Sequence, residues 1–249
     1  MTIAALRRGA IVFAGLFLFW QLLAAANTIP AFLLPSPAAV ALAIRDNFSY
    51  LAYHTMITVT EIGCGLVAGV LLGASLALLM IFSPRLQRWL MPLVLTSQAI
   101  PVFALAPLLV LWFGFGMSAK VVMAVLVIFF PVTSAFFDGL RRVDNGYLDL
   151  ARTMGATSAA QLRHVRLMAA LPAFGSGLRM AAAVAPIGAI IGEWVGSAEG
   201  LGFVMLNANA RMQSDLCFAA LFVLVLMTVA LWSGTDWLLR RLIRWSPEN

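Results

Sequence analysis

Several long stretches of this chain carry no charged side chain, and they constrain the fold more than any other feature. They include residues 62–84, 89–119, 121–137 and 216–235. A helix needs about 20 apolar residues to cross the hydrocarbon core of a bilayer, and these stretches, which are 17 to 31 residues long, are of that order. Only 10% of the residues are charged, whereas soluble domains contain about a quarter. The sequence therefore predicts an all-α membrane protein.

The hydrophobic pattern predicts six transmembrane helices within a single domain that covers residues 1–249. We place these helices at about residues 10–26, 55–82, 90–112, 119–138, 173–195 and 215–236. The first follows Arg7 and Arg8 and resembles a signal peptide, but no convincing small-residue cleavage site follows it, and further spans come after it. We therefore expect it to be retained as the first crossing. Six crossings put both chain ends on the same side of the membrane.

The basic residues outside these spans, with Lys120 counted at the edge of the fourth, predict the orientation. Three of them, Arg45, Lys120 and Arg211, fall in the segments on one side. Twelve fall on the other side: Arg7, Arg8, Arg85, Arg88, Arg141, Arg142, Arg152, Arg163, Arg166, Arg240, Arg241 and Arg244. The side rich in arginine is expected to be cytoplasmic, and it contains both termini and residues 144–172. The net charge of +6 thus indicates membrane topology and not nucleic-acid binding.

Residues 144–172 form a polar interruption that is patterned for two short helices. Asp144 is predicted to cap a first helix, Tyr147 to Met154, and Gly155 to end it. Ser158, with Gln161 three residues later, forms a capping-box pattern for a second helix. Its apolar residues fall on one face: Leu162, Val165, Met168 and Ala169. From the residues alone, this hairpin suits either a helix lying on the inner leaflet or a knob that fits a groove on a soluble partner.

The hairpin resembles the cytoplasmic EAA signature of ATP-binding-cassette (ABC) importer permeases. That signature reads E-A-A, three residues, G, nine residues, I, one residue and L-P. The corresponding residues here are, in order, Asp149, Leu150, Ala151, Gly155, Val165, Leu167 and Met168. Aspartate replaces the glutamate, leucine the first alanine and methionine the proline. Together with Leu162, these residues are expected from the resemblance to couple the chain to an ATPase.

Four further segments are similar to the nitrate, sulfonate and taurine branch of these permeases. They are "LLPSP" (33–37), "AIPVFALAPLLVLWFGFGMSAKVV" (99–122), "FFPVTSAFFDGLRRVD" (129–144) and "IGEWVGSAEGLGFVM" (191–205). Within the branch, "SQAIP" (97–101), the double phenylalanine before Pro131 and "GEWVG" look most similar to permeases for thiamine pyrimidine precursors. The resemblance implies an importer of a hydroxymethylpyrimidine-type molecule, with aliphatic sulfonates, taurine or nitrate as the alternative.

The resemblance also implies a fold and a set of partners. The fold is that of a type I ABC importer permease, which catalyses no reaction itself. The partners are two cytoplasmic ATPases that bind ATP and Mg²⁺, a solute-binding protein outside, and a second permease subunit, by default an identical one. The chain has no G-x-x-x-x-G-K-[ST] loop, so we expect the nucleotide to be bound by a partner. It is expected to bind no metal or cofactor, and to lie in the bacterial inner membrane.

Three residues are candidates for the transport pathway. Glu193 and Trp194 lie near one end of the fifth predicted span, and Gln98 lies at a predicted break between Pro92 and Pro101. For Glu193, contacting or gating the substrate is about as well supported as the other two roles together, which are a structural pair and a contact with lipid headgroups. Gln98 suits either a polar ring or the satisfaction of backbone groups freed by proline. For Glu61 we favour a structural ion pair with Arg179 over a role in contacting the substrate.

Two other patterns bear on fold and function. Gly65, Gly69 and Gly73 form a ridge of small residues that predicts close helix packing, with a moving gate as the weaker alternative. The two histidines, His54 and His164, are predicted on opposite sides of the membrane. The sequence therefore offers no evident catalytic pair for an intramembrane enzyme. It also offers no evident charge relay for a secondary carrier. Both alternatives are disfavoured.

Overall fold

The computed structural model describes residues 3–26 and 29–245, and all regular structure within them is helical. Both chain ends are predicted to be cytoplasmic. Part of each end, together with the side chains of Arg7 and Arg8, lies outside the described residues. The helices are α1 (Ile3–Ala25), α2 (Pro37–Asp46), α3 (Phe48–Phe82), α4 (Pro84–Ser97), α5 (Val102–Phe113), α6 (Met117–Arg141), α7 (Asn145–Thr153), α8 (Ser158–Gln161), α9 (Leu167–Gly196), α10 (Leu201–Ala210) and α11 (Ser214–Leu242).

Four helical segments are long and apolar enough to cross a membrane. They are Phe48–Phe82, Met117–Arg141, Ser158–Gly196 and Ser214–Leu242. The pair α4 and α5 forms a fifth crossing if the two helices count as one broken span. Within the fully described part of α1, Ala14–Ala25 is apolar but shorter than a full crossing. The described residues thus contain four or five candidate spans, and the count of six remains a prediction.

The third predicted span, residues 90–112, is not one straight helix. α4 ends at Ser97, α5 begins at Val102, and their axes differ by 100°. Pro101 stands immediately before α5 with an extended backbone, and a proline has no N–H with which to continue the preceding helix. The break predicted around Gln98 is therefore present. Helix α10 was not predicted from the sequence.

The helices belong to two compact units. The first comprises the described residues up to Ile57 and residues Glu199–Val225. Within it, the Ser36 hydroxyl caps α2 by accepting a hydrogen bond from the Ala39 N–H at 3.2 Å, and Pro37 is the first residue of the helix. His54 Nδ1 accepts from the Gly200 N–H at 2.9 Å, and the Tyr53 hydroxyl donates to Glu199 at 2.8 Å. These bonds join the start of α3 to the segment that precedes α10.

The second unit comprises Thr58–Ala198 and the described residues from Leu226 onward. Its core lies between α3, α6 and α9 and contains fully buried small side chains, including Ala124, Ala181 and Ala185. The predicted ridge on α3 packs directly on α6. A Cβ added at Gly69 would lie 2.6 Å from Ile128 Cγ2, and one at Gly73 would lie 2.7 Å from the Phe129 carbonyl oxygen. The ridge is thus a packing face, as predicted.

Docking hairpin and buried polar cluster

The first helix of the hairpin (residues 144–172) has the predicted caps at both ends. The Asp144 carboxylate accepts a hydrogen bond from the Gly146 N–H at 2.8 Å and precedes α7. At the other end Gly155 has a φ of +81°, a left-handed conformation that favours glycine. The Ala156 N–H donates to the Ala151 carbonyl and the Gly155 N–H to the Arg152 carbonyl, each at 2.9 Å. This pair of bonds is a Schellman motif, which ends the helix in a defined geometry.

One face of α7 presents large apolar side chains to the outside. Tyr147 is 65% exposed, Leu150 58% and Met154 80%, whereas Leu148 is buried. The three exposed residues recur at spacings of three and four, so they line one side of the helix. Asp149 pairs with Arg152 at 2.8 Å on the same short helix. The residues predicted to couple to an ATPase included Leu150 but not Tyr147 and Met154. The spacing of three and four residues from Leu150 would have indicated that these two side chains share its face.

The second helix begins one residue earlier than the capping-box pattern predicted. Thr157, not Ser158, is the cap, and its hydroxyl accepts from the Ala160 N–H at 3.3 Å. Gln161 donates to the Ala156 carbonyl at 3.0 Å instead of reaching back to the cap. The predicted cap was wrong because both Ser and Thr can cap a helix, and the sequence pattern did not distinguish the neighbouring hydroxyls of Thr157 and Ser158.

A single π-helical turn, Leu162–Arg166, joins α8 to α9. A π-turn widens the helix, so the residues beyond it no longer continue the face defined before it. Leu162 and Leu167 pack inward on a buried cluster, and Val165 is half-buried. Met168 is 50% exposed. The side chains predicted to share one face therefore divide between the interior and the surface.

The candidate pathway residues lie in different surroundings. Glu193 is buried, and its carboxylate accepts a hydrogen bond from the Thr58 hydroxyl at 2.6 Å. The next residue, Trp194, is 41% exposed. Gln98 is exposed at the bend between α4 and α5, where its amide donates to the Ser97 hydroxyl at 3.2 Å. The structure therefore does not bring Gln98 into hydrogen-bond contact with Glu193.

The predicted pairing of Glu61 with Arg179 is wrong. Lys120 Nζ lies 2.5 Å from Glu61 Oε1, while Arg179 Nε lies 2.7 Å from Asp236 Oδ1. The predicted span 119–138 has Lys120 at its edge, among the basic residues assigned to one side of the membrane, but α6 already begins at Met117 and buries Lys120 in its first turn. Thr58, Glu61, Lys120 and Glu193 together form what we call the buried polar cluster.

Comparison with known proteins relates this arrangement to a protein family. Residues 65–245 match the family described as "binding-protein-dependent transport system inner membrane component". The chain is 53% identical to a probable ABC transporter permease protein from Haemophilus influenzae, over 93% of this chain and 94% of that protein. It is 36% identical to the formylaminopyrimidine transport permease ThiX of Halalkalibacterium halodurans, over 94% of each chain. It is 35% identical to the riboflavin permease RibX of Chloroflexus aurantiacus, over 94% of this chain and 88% of that protein.

A solved structure supports the same fold. The MetNI methionine ABC transporter in an inward-facing form superposes with a TM-score of 0.61 at 20% identity. The match covers 83% of this chain and 97% of that one. The chain therefore belongs to the family of binding-protein-dependent transport system inner membrane components, as an ABC importer permease of the nitrate, sulfonate and taurine branch that is not itself an enzyme and works with a separate ATPase.

Proposed function

We propose that this permease imports a small polar molecule of the thiamine pyrimidine-precursor type. The permease function is supported above all by one structural observation: the exposed apolar face of α7, held by capped ends on a short helix. Such a face suits insertion into a groove on a soluble partner. A capped helix transmits displacement better than a flexible loop, because its hydrogen bonds resist deformation.

In the proposed assembly, two copies of this chain and two ATPases form one transporter. The hairpin lies in the cytoplasm, as the arginine distribution favours, and each ATPase receives one hairpin. Asp149, Leu150, Ala151 and Gly155 define the first docking helix. In the second part of the hairpin, Leu162 and Leu167 pack on the interior cluster, Val165 is half-buried, and Met168 faces outward. ATP and Mg²⁺ are bound by the ATPases, whose closure moves the hairpins.

The transport pathway runs between the two permease copies, with Glu193, Trp194 and Gln98 near it. A solute-binding protein delivers the substrate to the side opposite the hairpin. Both termini are cytoplasmic, and the protein lies in the bacterial inner membrane. Alternating access then requires that a displacement at the hairpin reach the opposite end of α6 and α9.

The proposed substrate class rests on similarity to ThiX, at 36% identity over nearly the whole of both chains. A pyrimidine substrate also agrees with the "SQAIP" and "GEWVG" segments. RibX is almost as similar, at 35% identity, so a flavin belongs among the outcomes of the test. Alkanesulfonates and taurine, which other permeases of this branch transport, belong there as well.

The deciding experiment reconstitutes the chain in proteoliposomes with its ATPase and its binding protein. Uptake of radiolabelled hydroxymethylpyrimidine is measured with ATP inside, and with ADP inside as the control. Unlabelled hydroxymethylpyrimidine, riboflavin, taurine and nitrate are then compared as competitors. We expect ATP-dependent uptake that only the pyrimidine suppresses. Suppression by taurine or riboflavin instead would reassign the substrate, and uptake without the ATPase would contradict the importer.

A further inference from the structure

The buried polar cluster lies where α3, α6 and α9 meet, at the end of these helices that is remote from the hairpin. Thr58 and Glu61 belong to the first part of α3, Lys120 to the first turn of α6 and Glu193 to the last turn of α9. All four residues are buried. Ionisable side chains are costly within a membrane and are usually kept there for a function. The cluster therefore calls for an explanation beyond packing.

The polar contacts of the cluster join the three helices in pairs. Lys120 joins α6 to α3 through Glu61 at 2.5 Å, and Thr58 joins α3 to Glu193 of α9 at 2.6 Å. Thr58 and Glu61 are three residues apart, which places them side by side on the same face of α3. If Glu61 shifts along this face, Thr58 shifts with it. The hydrogen bond from Thr58 to Glu193 is then displaced as well.

Close backbone contacts make the same end of the bundle rigid. A Cβ added at Gly192 would lie 3.1 Å from Lys120 Cα and 3.4 Å from its Cγ. One turn earlier, a Cβ at Gly188 would lie 2.7 Å from Ala124 Cα. Helix α9 thus passes directly over the stem of Lys120, at the residue next to Glu193. α6 and α9 cannot slide past each other here unless Lys120 is displaced.

A buried ion pair between two helices contributes less to stability than to selecting one relative arrangement of the helices. Replacing a buried ion pair with apolar side chains of similar volume is often neutral for stability, and the best-attested use of such pairs is to fix register. The ammonium of Lys120 pairs with the carboxylate of Glu61. The pair therefore forms at only one rotation of α6 about its axis and one position of α6 along α3. Apolar side chains would pack in several registers.

We propose that Lys120 and Glu61 are positioning residues that hold Glu193 and Trp194 at the end of α9. With both in place, α3, α6 and α9 move as one body when the hairpin is displaced, and the movement reaches Trp194 undiminished. Without them, the helices slip at this end and part of the displacement is lost. This inference rests on the proposed permease function, because only a transporter needs such transmission.

The test removes both charges together, in the variant Glu61→Gln with Lys120→Met. Removing one charge alone would leave the other buried without its ion-pair partner, which risks misfolding. Spin labels are placed at Val67 of α3 and Ile187 of α9, which are 63% and 55% exposed, after Cys64 and Cys217 have been replaced by alanine. We expect the double variant to be purified in the parent's yield with the parent's thermal midpoint. The label-to-label distance distribution, narrow in the parent, is expected to broaden.

Transport gives a second readout on the same variant. We expect ATP hydrolysis stimulated by the binding protein to persist, with an unchanged concentration of binding protein at half-maximal rate. Uptake of radiolabelled hydroxymethylpyrimidine per ATP hydrolysed is expected to fall about tenfold, a size typical of residues that carry coupling between distant sites. A residue that only stabilised the fold would lower hydrolysis and uptake in parallel.

The matched control removes the other ion pair, in the variant Arg179→Met with Asp236→Asn. That pair joins α9 to α11 and is also largely buried, with 23% and 17% of its side chains exposed. The control variant should leave unchanged both the distance between the spin labels and the uptake per ATP hydrolysed. An unbroadened distribution in the Glu61–Lys120 variant, or equal broadening in the control, overturns the inference. Absence of ATP-dependent uptake in the parent refutes the proposed function instead, and the label distances still test the register.

Discussion

The guanidinium of Arg166 donates a hydrogen bond to the carbonyl oxygen of Leu140, with 3.3 Å between Nη1 and O. Leu140 lies in the last turn of α6, where carbonyl groups lack donors from within the helix. A cation at this position also opposes the negative end of the helix. Arg166 is the last residue of the π-turn before α9. Its bond to Leu140 therefore joins the end of α6, which leads into the hairpin, to the start of α9, which leads out of it.

Loss of this bond is expected to weaken coupling. In Arg166→Ala, hydrolysis by the docked ATPase should persist, while uptake per ATP hydrolysed should fall by about two- to tenfold. Both rates are measured in the same proteoliposomes. Arg163→Ala is the control, because Arg163 is an exposed arginine on the same turn. An equal loss in both variants would mean that positive charge, and not the bond to Leu140, is what matters.

Gly155→Val is expected to strain the end of α7. Nothing lies within 4 Å of an added Cβ at Gly155, so the cost comes from its φ of +81° alone. That cost is about 1–2 kcal/mol for a residue other than glycine, and a β-branched side chain is especially unsuited. Faster hydrogen exchange at the Gly155 and Ala156 amides, together with lower uptake, would report it. Gly155→Asn, which tolerates the left-handed conformation, should stay close to the parent.

A charge on the exposed face of α7 should prevent docking of the ATPase. We expect Leu150→Asp and Met154→Asp each to reduce ATPase co-purification with the permease by about tenfold or more, as buried interface anchors commonly do. Ser158→Asp adds the same charge at the exposed first residue of α8, where it suits the helix N-terminus. Full co-purification of the Leu150 and Met154 variants would place the docking face elsewhere on the hairpin.

The glycine ridge of α3 offers a stability prediction. Gly73→Ala puts a Cβ 2.7 Å from a backbone oxygen of α6, and overpacking of this kind costs about 1–3 kcal/mol. Gly63→Ala meets nothing within 4 Å on the same helix, and it should be neutral or slightly stabilising. Thermal unfolding in detergent, followed by size-exclusion chromatography, measures both variants. A lower midpoint in Gly63→Ala than in Gly73→Ala would contradict the packing described here.

The sequence by itself determined the class of the protein and the outline of its hairpin. Bilayer crossing depends on length and polarity within one contiguous segment, so the uncharged stretches were sufficient to predict membrane helices. The Asp144 cap and the Gly155 stop were predicted for the same reason, since their hydrogen bonds join residues at most six positions apart. The glycine ridge also shows directly in the spacing of its residues.

Only the tertiary structure decided which distant groups meet. Glu61 and Lys120 are separated by 59 positions, and their pairing depends on the rotation and height of two helices, to which no local pattern is sensitive. The π-turn likewise turned Leu162 and Leu167 inward and left Met168 exposed, because one widened turn changes the phase of every later residue. Short-range hydrogen bonds and hydropathy are properties of a segment, whereas register is a property of the packed helices together.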